Sequence, residues 1–178
     1  MTKPFIFIFP GQGSQKVGMG HELYKNHRVA KDVFDEIDET LSMNLSKICF
    51  EGPDSELTLT SNAQPALMAV SMAIVRIIEH ELKKKISDLA NIVLGHSLGE
   101  YSALCSIDSI SLSSTAKLLR ERGLAMQNAI SNLETRMRAV IGMDLGVIED
   151  TIEKTKLNDD EICEVANDNS PGQIIISG

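Results

Sequence analysis

Gly95-His96-Ser97-Leu98-Gly99 is the stretch of this sequence whose residue types and spacing could do covalent chemistry. Asn91 to Leu94 precede it as a short, mostly apolar run, which reads as a buried parallel strand. Glu100-Tyr101-Ser102 follow and continue into helix-forming residues. A serine between glycines at a strand-to-helix corner is held out from the end of the sheet, where larger neighbours would clash. Its hydroxyl can attack an acyl carbonyl once a base takes the proton and N–H donors meet the developing oxyanion. At such a corner the amide of the next residue, here Leu98, points toward that oxyanion. A second amide usually comes from a loop after another strand. Gly11-Gln12-Gly13 suits that role, because its glycines let backbone approach a substrate; an ordinary glycine-rich turn would have the same spacing.

A base is harder to find. The histidines are His21, His27, His80 and His96. The serine, acid, histidine order of hydrolase folds puts the base after the nucleophile, and each of these four precedes Ser97. His96, beside the serine, is expected to be packed and hydrogen-bonded, and His80 to sit at a helix end. His21 and His27 fall in polar surroundings. The residues therefore offer a nucleophile and oxyanion donors without a base.

The surrounding elements are predicted as follows. Phe5 to Phe9, aromatic and β-branched, is a buried strand stopped by Pro10. Lys16 to Asn26 is a loop with a short helix. Val29, Val33, Phe34, Ile37 and Leu41 share one helical stripe, and Leu45 to Phe50 adds a further turn closed by Gly52-Pro53. Ser61 caps a helix with Pro65 in its first turn, running to about Lys85. Its Ala66–Ile78 part is apolar nearly all round and hence buried. Leu98 to Cys105 is helical, and Ser113 caps another helix to about Ile130. This alternation predicts an α/β layered domain with a mostly parallel sheet over residues 1–130. Residues 131–178 differ. Strand candidates Met137–Met143, Ile162–Ala166 and Gln173–Ser177 surround a helix at Val147–Lys156, with a turn at Asn167–Gly172. Such a strand-helix-strand-strand order is the first part of a split βαβ unit.

Composition narrows the function classes. The chain has 178 residues, 43% hydrophobic, with a formal net charge of −8. No basic excess points to nucleic acid. Cys49, Cys105 and Cys163 lack zinc or redox spacing and are odd in number, so they read as small buried residues in a reducing compartment. The Phe5–Phe9 run is too short for a signal-peptide core, and Ala66–Ile78 falls short of a bilayer span. The expectation is a cytoplasmic protein with no membrane association.

Five collinear motifs then stand out. They are Phe9-Pro10-Gly11-Gln12-Gly13-Ser14-Gln15, Asn62-Ala63-Gln64-Pro65-Ala66-Leu67, Gly95 to Leu104, Arg122-Gly123 with Met126-Gln127, and Asn167 to Gln173. Together they resemble the malonyl-CoA:acyl carrier protein transacylases of fatty acid synthesis. The resemblance implies an α/β-hydrolase-like core with a ferredoxin-like small subdomain, incomplete here, and a site between them. It implies malonyl transfer from CoA to the pantetheine thiol of acyl carrier protein through a malonyl-Ser97 ester. The substrates are malonyl-CoA and the pantetheinylated carrier, and no cofactor or metal is implied. Gln12 and Leu98 match the oxyanion-hole positions. Arg122 matches the arginine that pairs with the malonyl carboxylate, a role suited to a bidentate guanidinium, although spacing alone does not separate it from Arg120. Gln64, Met126, Asn167 and Asn169 fall in motifs lining the family's site.

The sequence also departs from the family. The family's catalytic histidine lies beyond Gly178, so the chain reads as the N-terminal portion of the enzyme. Arg138 stands where small residues are favoured, and Ser106-Ile107-Asp108 replaces a more usual alanine-glycine stretch. Two other readings stay open: a serine hydrolase or esterase on the same elbow, and a non-catalytic acyl- or carrier-binding module. An acidic carrier would need a basic patch, to which Lys117, Arg136 and Arg138 could contribute.

Overall fold

A computed structural model describes residues 5–129, 134–155 and 162–178. The chain divides into two compact units, Met1–Ala129 and Ile130–Gly178.

In the first unit, β1 (Phe5–Phe9) and β2 (Ala90–Gly95) pair in parallel, with Phe7 opposite Val93 and Phe9 opposite Gly95. Between them run α1 (His21–Asn26), α2 (Arg28–Leu41), α3 (Leu45–Glu51), α4 (Asp54–Thr58), α5 (Thr60–Leu82) and α6 (Ile86–Leu89). Helices α7 (Leu98–Ser106) and α8 (Leu112–Ala129) follow β2. The two strands are not buried on both faces, as their apolar runs predict. Phe7, Phe9 and Val93 pack on the core, while Ile6, Ile8, Ile92 and Leu94 are exposed. Parallel strands carry apolar side chains on both faces because both are ordinarily covered. Within this unit the core covers one of them.

Helix α5 is the centre of the unit. Ala63, Ala66, Met68, Ala69, Met72 and Ala73 on it are fully buried, which fits an apolar pattern that continues around the helix. It runs Thr60–Leu82, starting one residue before the predicted Ser61 and ending three before Lys85. By length and composition it could cross a membrane, but 67% of its apolar window is buried inside the protein. It starts at Thr60, so Pro65 falls in the second turn, not the first, and removes the backbone bond that would reach the Ser61 carbonyl. Ser61 does not cap the helix. Its amide donates to Gln127 Oε1 at 2.8 Å, so a side chain of α8 serves one of the orphan donors of this helix start. The cap of α8 is Ser111, not Ser113. Its Oγ accepts from the Ser114 amide at 3.1 Å, the usual N-cap bond.

Helix α2 buries Val33, Phe34 and Ile37 of its predicted stripe, together with Ala30, while Val29 and Leu41 at its ends are half-buried. Phe34 meets Tyr24 and Phe50 in a small aromatic cluster, with centroids 5.9 and 5.1 Å away. Cys49 and Cys105 are buried. Burial pushes the Cys49 thiol up to about 12, which keeps it protonated and inert near neutrality. Asp108 has a φ of 58°, a conformation that glycine adopts freely and aspartate tolerates. Its carboxylate pairs with Arg76 at 3.3 Å and Lys85 at 3.1 Å. Those pairs account for an aspartate where the resemblance favours an alanine-glycine stretch.

In the second unit, β3 (Met137–Ile141), β4 (Glu164–Ser170) and β5 (Gln173–Ser177) form an antiparallel sheet ordered β3-β5-β4, with α9 (Leu145–Thr155). Ile148 of α9 and Ile174 of β5 are buried. The order of elements is the predicted one. The turn is shorter than expected: Asn167, Asp168 and Asn169 belong to β4, and Pro171 and Gly172 make the reversal. Register shifts at Val165/Asn167 and Asp168/Ser170 let a polar segment stay paired with the apolar β5. Ile130, and Lys156 at the end of the α9 prediction, lie outside the described residues.

Candidate active site

Ser97 stands between β2 and α7 with φ 56° and ψ −113°. A positive φ is costly for a residue with a side chain and persists only where the surroundings impose it. Here the surroundings are tight. A Cβ on Gly95 would overlap the backbone of Gly99 and Glu100, and one on Gly99 would overlap the Phe9 carbonyl. The two glycines thus let α7 turn back directly over the ends of β1 and β2. The turn closes through the Gly99 amide on the His96 carbonyl at 2.9 Å and the Glu100 amide on the Ser97 carbonyl at 3.1 Å. The result is an exposed Ser97 side chain beside a fully packed Leu98.

The Gly11–Gly13 loop passes beside this corner. Gly11 lies against the ring and carbonyl of His96, leaving no room for a Cβ. His96 meets Gly11 along one side of its ring but is otherwise exposed, not packed into the core as its sequence position suggests. The loop is held by the Gly13 amide on Gln15 Oε1 at 2.8 Å and by Gln12 Nε2 on Thr60 Oγ1 at 3.2 Å. Thr60 was not foreseen, since nothing in helix periodicity marks it. Leu98 is the first residue of α7, so its amide has no carbonyl one turn earlier in the helix to bind. Gln12 and Leu98 thus belong to the two backbone segments that flank Ser97.

Arg122 decides between the two candidate arginines. Its Nη2 donates to Ser97 Oγ at 3.0 Å and its Nη1 to Gln64 Oε1 at 2.6 Å. Arg120 turns the other way and donates to Asn62 Oδ1, so it is half-buried and engaged instead of a surface charge. Gln64 is fully buried, and its Nε2 donates to Met126 Sδ at 3.3 Å. Two of the motifs, Asn62–Leu67 and Arg122 to Gln127, are thus the two sides of one α5–α8 contact. Gly123 makes the contact close: a Cβ there would lie 2.5 Å from Ser61 Cα.

Gly123→Ala tests that contact. Alanine inside a helix gains up to about 1 kcal/mol over glycine. Overpacking against backbone costs about 1–3 kcal/mol, so the clash is expected to win. A urea melt should show a net loss of stability, and α8 should carry Arg122 away from Ser97.

The other predicted residues are placed as follows. Asn167 is exposed on β4, Asn169 is half-buried on it, and both are described within the second unit. Arg136 pairs with Glu134 at 2.9 Å, and Arg138 is exposed on β3. His21 stacks on Phe50 with centroids 4.8 Å apart. His80 lies 3.4 Å from Glu81, near the end of α5. Among the described residues, no group of three or more histidine, cysteine or acidic side chains could hold a metal ion.

A parallel strand pair, a strained serine at the strand-to-helix corner and helices packed behind it define an α/β protein with a nucleophile-elbow architecture. The chain belongs to the acyl transferase domain family, whose model matches residues 6–178. It is 44% identical over 172 residues to the malonyl CoA-acyl carrier protein transacylase of Bacillus subtilis (strain 168), covering 97% of this chain and 52% of that protein. The crystal structure of an acyl-carrier-protein S-malonyltransferase from Bartonella henselae superposes with a TM-score of 0.91 at 50% identity, covering 99% of this chain and 55% of that one. A type II polyketide synthase acyl carrier protein has been solved in complex with its malonyl-transacylase. That structure is 36% identical with a TM-score of 0.87, covering 99% of this chain and 55% of its own. The chain spans about half the length of the curated relatives it matches.

Proposed function

We propose that this chain carries the nucleophile and the acyl-selecting arginine of a cytoplasmic malonyl-CoA:acyl carrier protein transacylase. The observation that carries the reading is the guanidinium of Arg122 at 3.0 Å from Ser97 Oγ. A cation there would face the free carboxylate of a malonyl group esterified to Ser97. In the first half-reaction Ser97 Oγ bonds to the thioester carbonyl carbon and its proton passes to a base. The C–S bond then breaks and CoA leaves as the thiol. In the second, the carrier's pantetheine thiol attacks the ester, and Ser97 recovers its proton. The amides of Gln12 and Leu98 bind the oxyanion in both steps. Acyl transfer between thioester and ester is redox-neutral, so the only prosthetic group it calls for is the carrier's own pantetheine. We assign the base to a residue outside these 178, because all four histidines precede Ser97 in the chain and the serine, acid, histidine order of such folds puts the base after the nucleophile. Met126 is proposed as a lining residue.

The test is a product analysis on the protein from its complete gene, with malonyl-CoA and pantetheinylated carrier protein. Malonyl carried as a thioester on the carrier is the expected product. Free malonate alone would leave a hydrolase. Carrier binding with no covalent product would leave a binding module.

A further inference from the structure

We infer that Gln64 is a positioning residue that sets selectivity for carboxylated acyl groups, by holding Arg122 with an acceptor that carries no charge. The inference rests on the transacylase reading above. Gln64 is fully buried, and each end of its amide is committed. Oε1 accepts from Arg122 Nη1 at 2.6 Å, and Nε2 donates to Met126 Sδ at 3.3 Å. The two contacts fix the amide's direction, since a flipped amide would point its N–H bonds at the guanidinium.

Three kinds of side chain could stand behind Arg122. An apolar one would leave Nη1 desolvated without a partner. A carboxylate would satisfy Nη1, but it would also neutralise the guanidinium before any substrate arrived. An opposite charge that is already paired offers an incoming carboxylate far less attraction. A neutral amide satisfies the hydrogen bond and leaves the positive charge for the substrate. The other terminal nitrogen, Nη2, rests on Ser97 Oγ, the place where the acyl group would be attached. Glutamine at position 64 thus combines geometric restraint with unspent charge, and it distinguishes malonyl from acetyl without touching either.

The experiment measures the rates of Ser97 acylation by malonyl-CoA and by acetyl-CoA in the protein from its complete gene. Wild type is compared with Gln64→Glu, Gln64→Asn and Arg122→Ala. Gln64→Glu keeps the shape and adds a charge. Its malonyl:acetyl rate ratio is expected to fall about tenfold, whatever loss the two rates share; tenfold corresponds to about 1.4 kcal/mol. A packing role would leave that ratio unchanged, and an unchanged ratio overturns the inference. If Gln64→Glu loses both rates together, Gln64→Asn decides. It is neutral but one methylene too short to hold Nη1, so its ratio should also fall; a wild-type ratio there overturns the inference as well. The Arg122→Ala arm separates the two levels. An unchanged ratio in Arg122→Ala removes the transacylase reading itself. A lowered ratio there beside an unchanged one in Gln64→Glu removes only the role of Gln64.

Discussion

Ser97→Ala is expected to lower malonyl transfer by about 10⁴-fold or more, the scale seen when the serine of a serine enzyme is removed. The fold should be nearly untouched. The side chain is exposed, and exposed substitutions usually change stability by less than about 0.5 kcal/mol. The alanine variant keeps the φ of 56° and its backbone strain, so loss of activity with an unchanged melting curve isolates the hydroxyl. Carrier-protein binding should survive. Equal transfer by wild type and variant would move the nucleophile elsewhere.

Arg122→Ala has the second-largest expected effect, and it divides between selectivity and stability. A hydrogen bond to a charged group contributes about 1.5–3 kcal/mol, so malonyl transfer should fall about 10- to 150-fold. Acetyl transfer should hardly change, because an acetyl group has no carboxylate to pair. The variant should also be less stable. Gln64 Oε1 is buried and would lose its donor, and an unsatisfied buried acceptor costs about 1–3 kcal/mol. Arg122→Lys should recover little selectivity. An ammonium cannot span both Gln64 and a carboxylate with the geometry of a planar guanidinium. Rates with the two CoA thioesters and a urea melt separate the two effects.

The serine corner was legible because its signal is local. Two glycines, an apolar run and a helical pattern lie within a dozen residues, and the clash that requires Gly95 is with Gly99 and Glu100 close by in sequence, although the one that requires Gly99 is with the distant Phe9. The helices α2, α5, α7 and α8 were legible for the same reason, as periodic patterns over whole turns. What bridges distant segments was not. Nothing in the spacing says that Arg120 faces Asn62 while Arg122 faces Ser97, since the choice depends on how α8 lies on α5. That in turn depends on Gly123, whose role is visible only with Ser61 beside it. The cap of α8 was misplaced by two positions because Ser111, Ser113 and Ser114 all suit the role. Burial of β1 and β2 was overread, because an apolar strand sequence reports what both faces can bury and not what one unit supplies. In the second unit, the polar Asn167–Asn169 segment reads as a turn. Pairing with the apolar β5 makes it a strand, a tertiary effect that overrides local propensity.

The measurement that bears most directly on the central claim is a competition labelling of the protein from its complete gene. Equal amounts of malonyl-CoA and acetyl-CoA would be offered without carrier protein, followed by acid quench, proteolysis and mass mapping. Malonyl is expected on the peptide containing Ser97, with acetyl a minor species on the same residue. Label on another residue, or acetyl in equal amount to malonyl at Ser97, would contradict the claim.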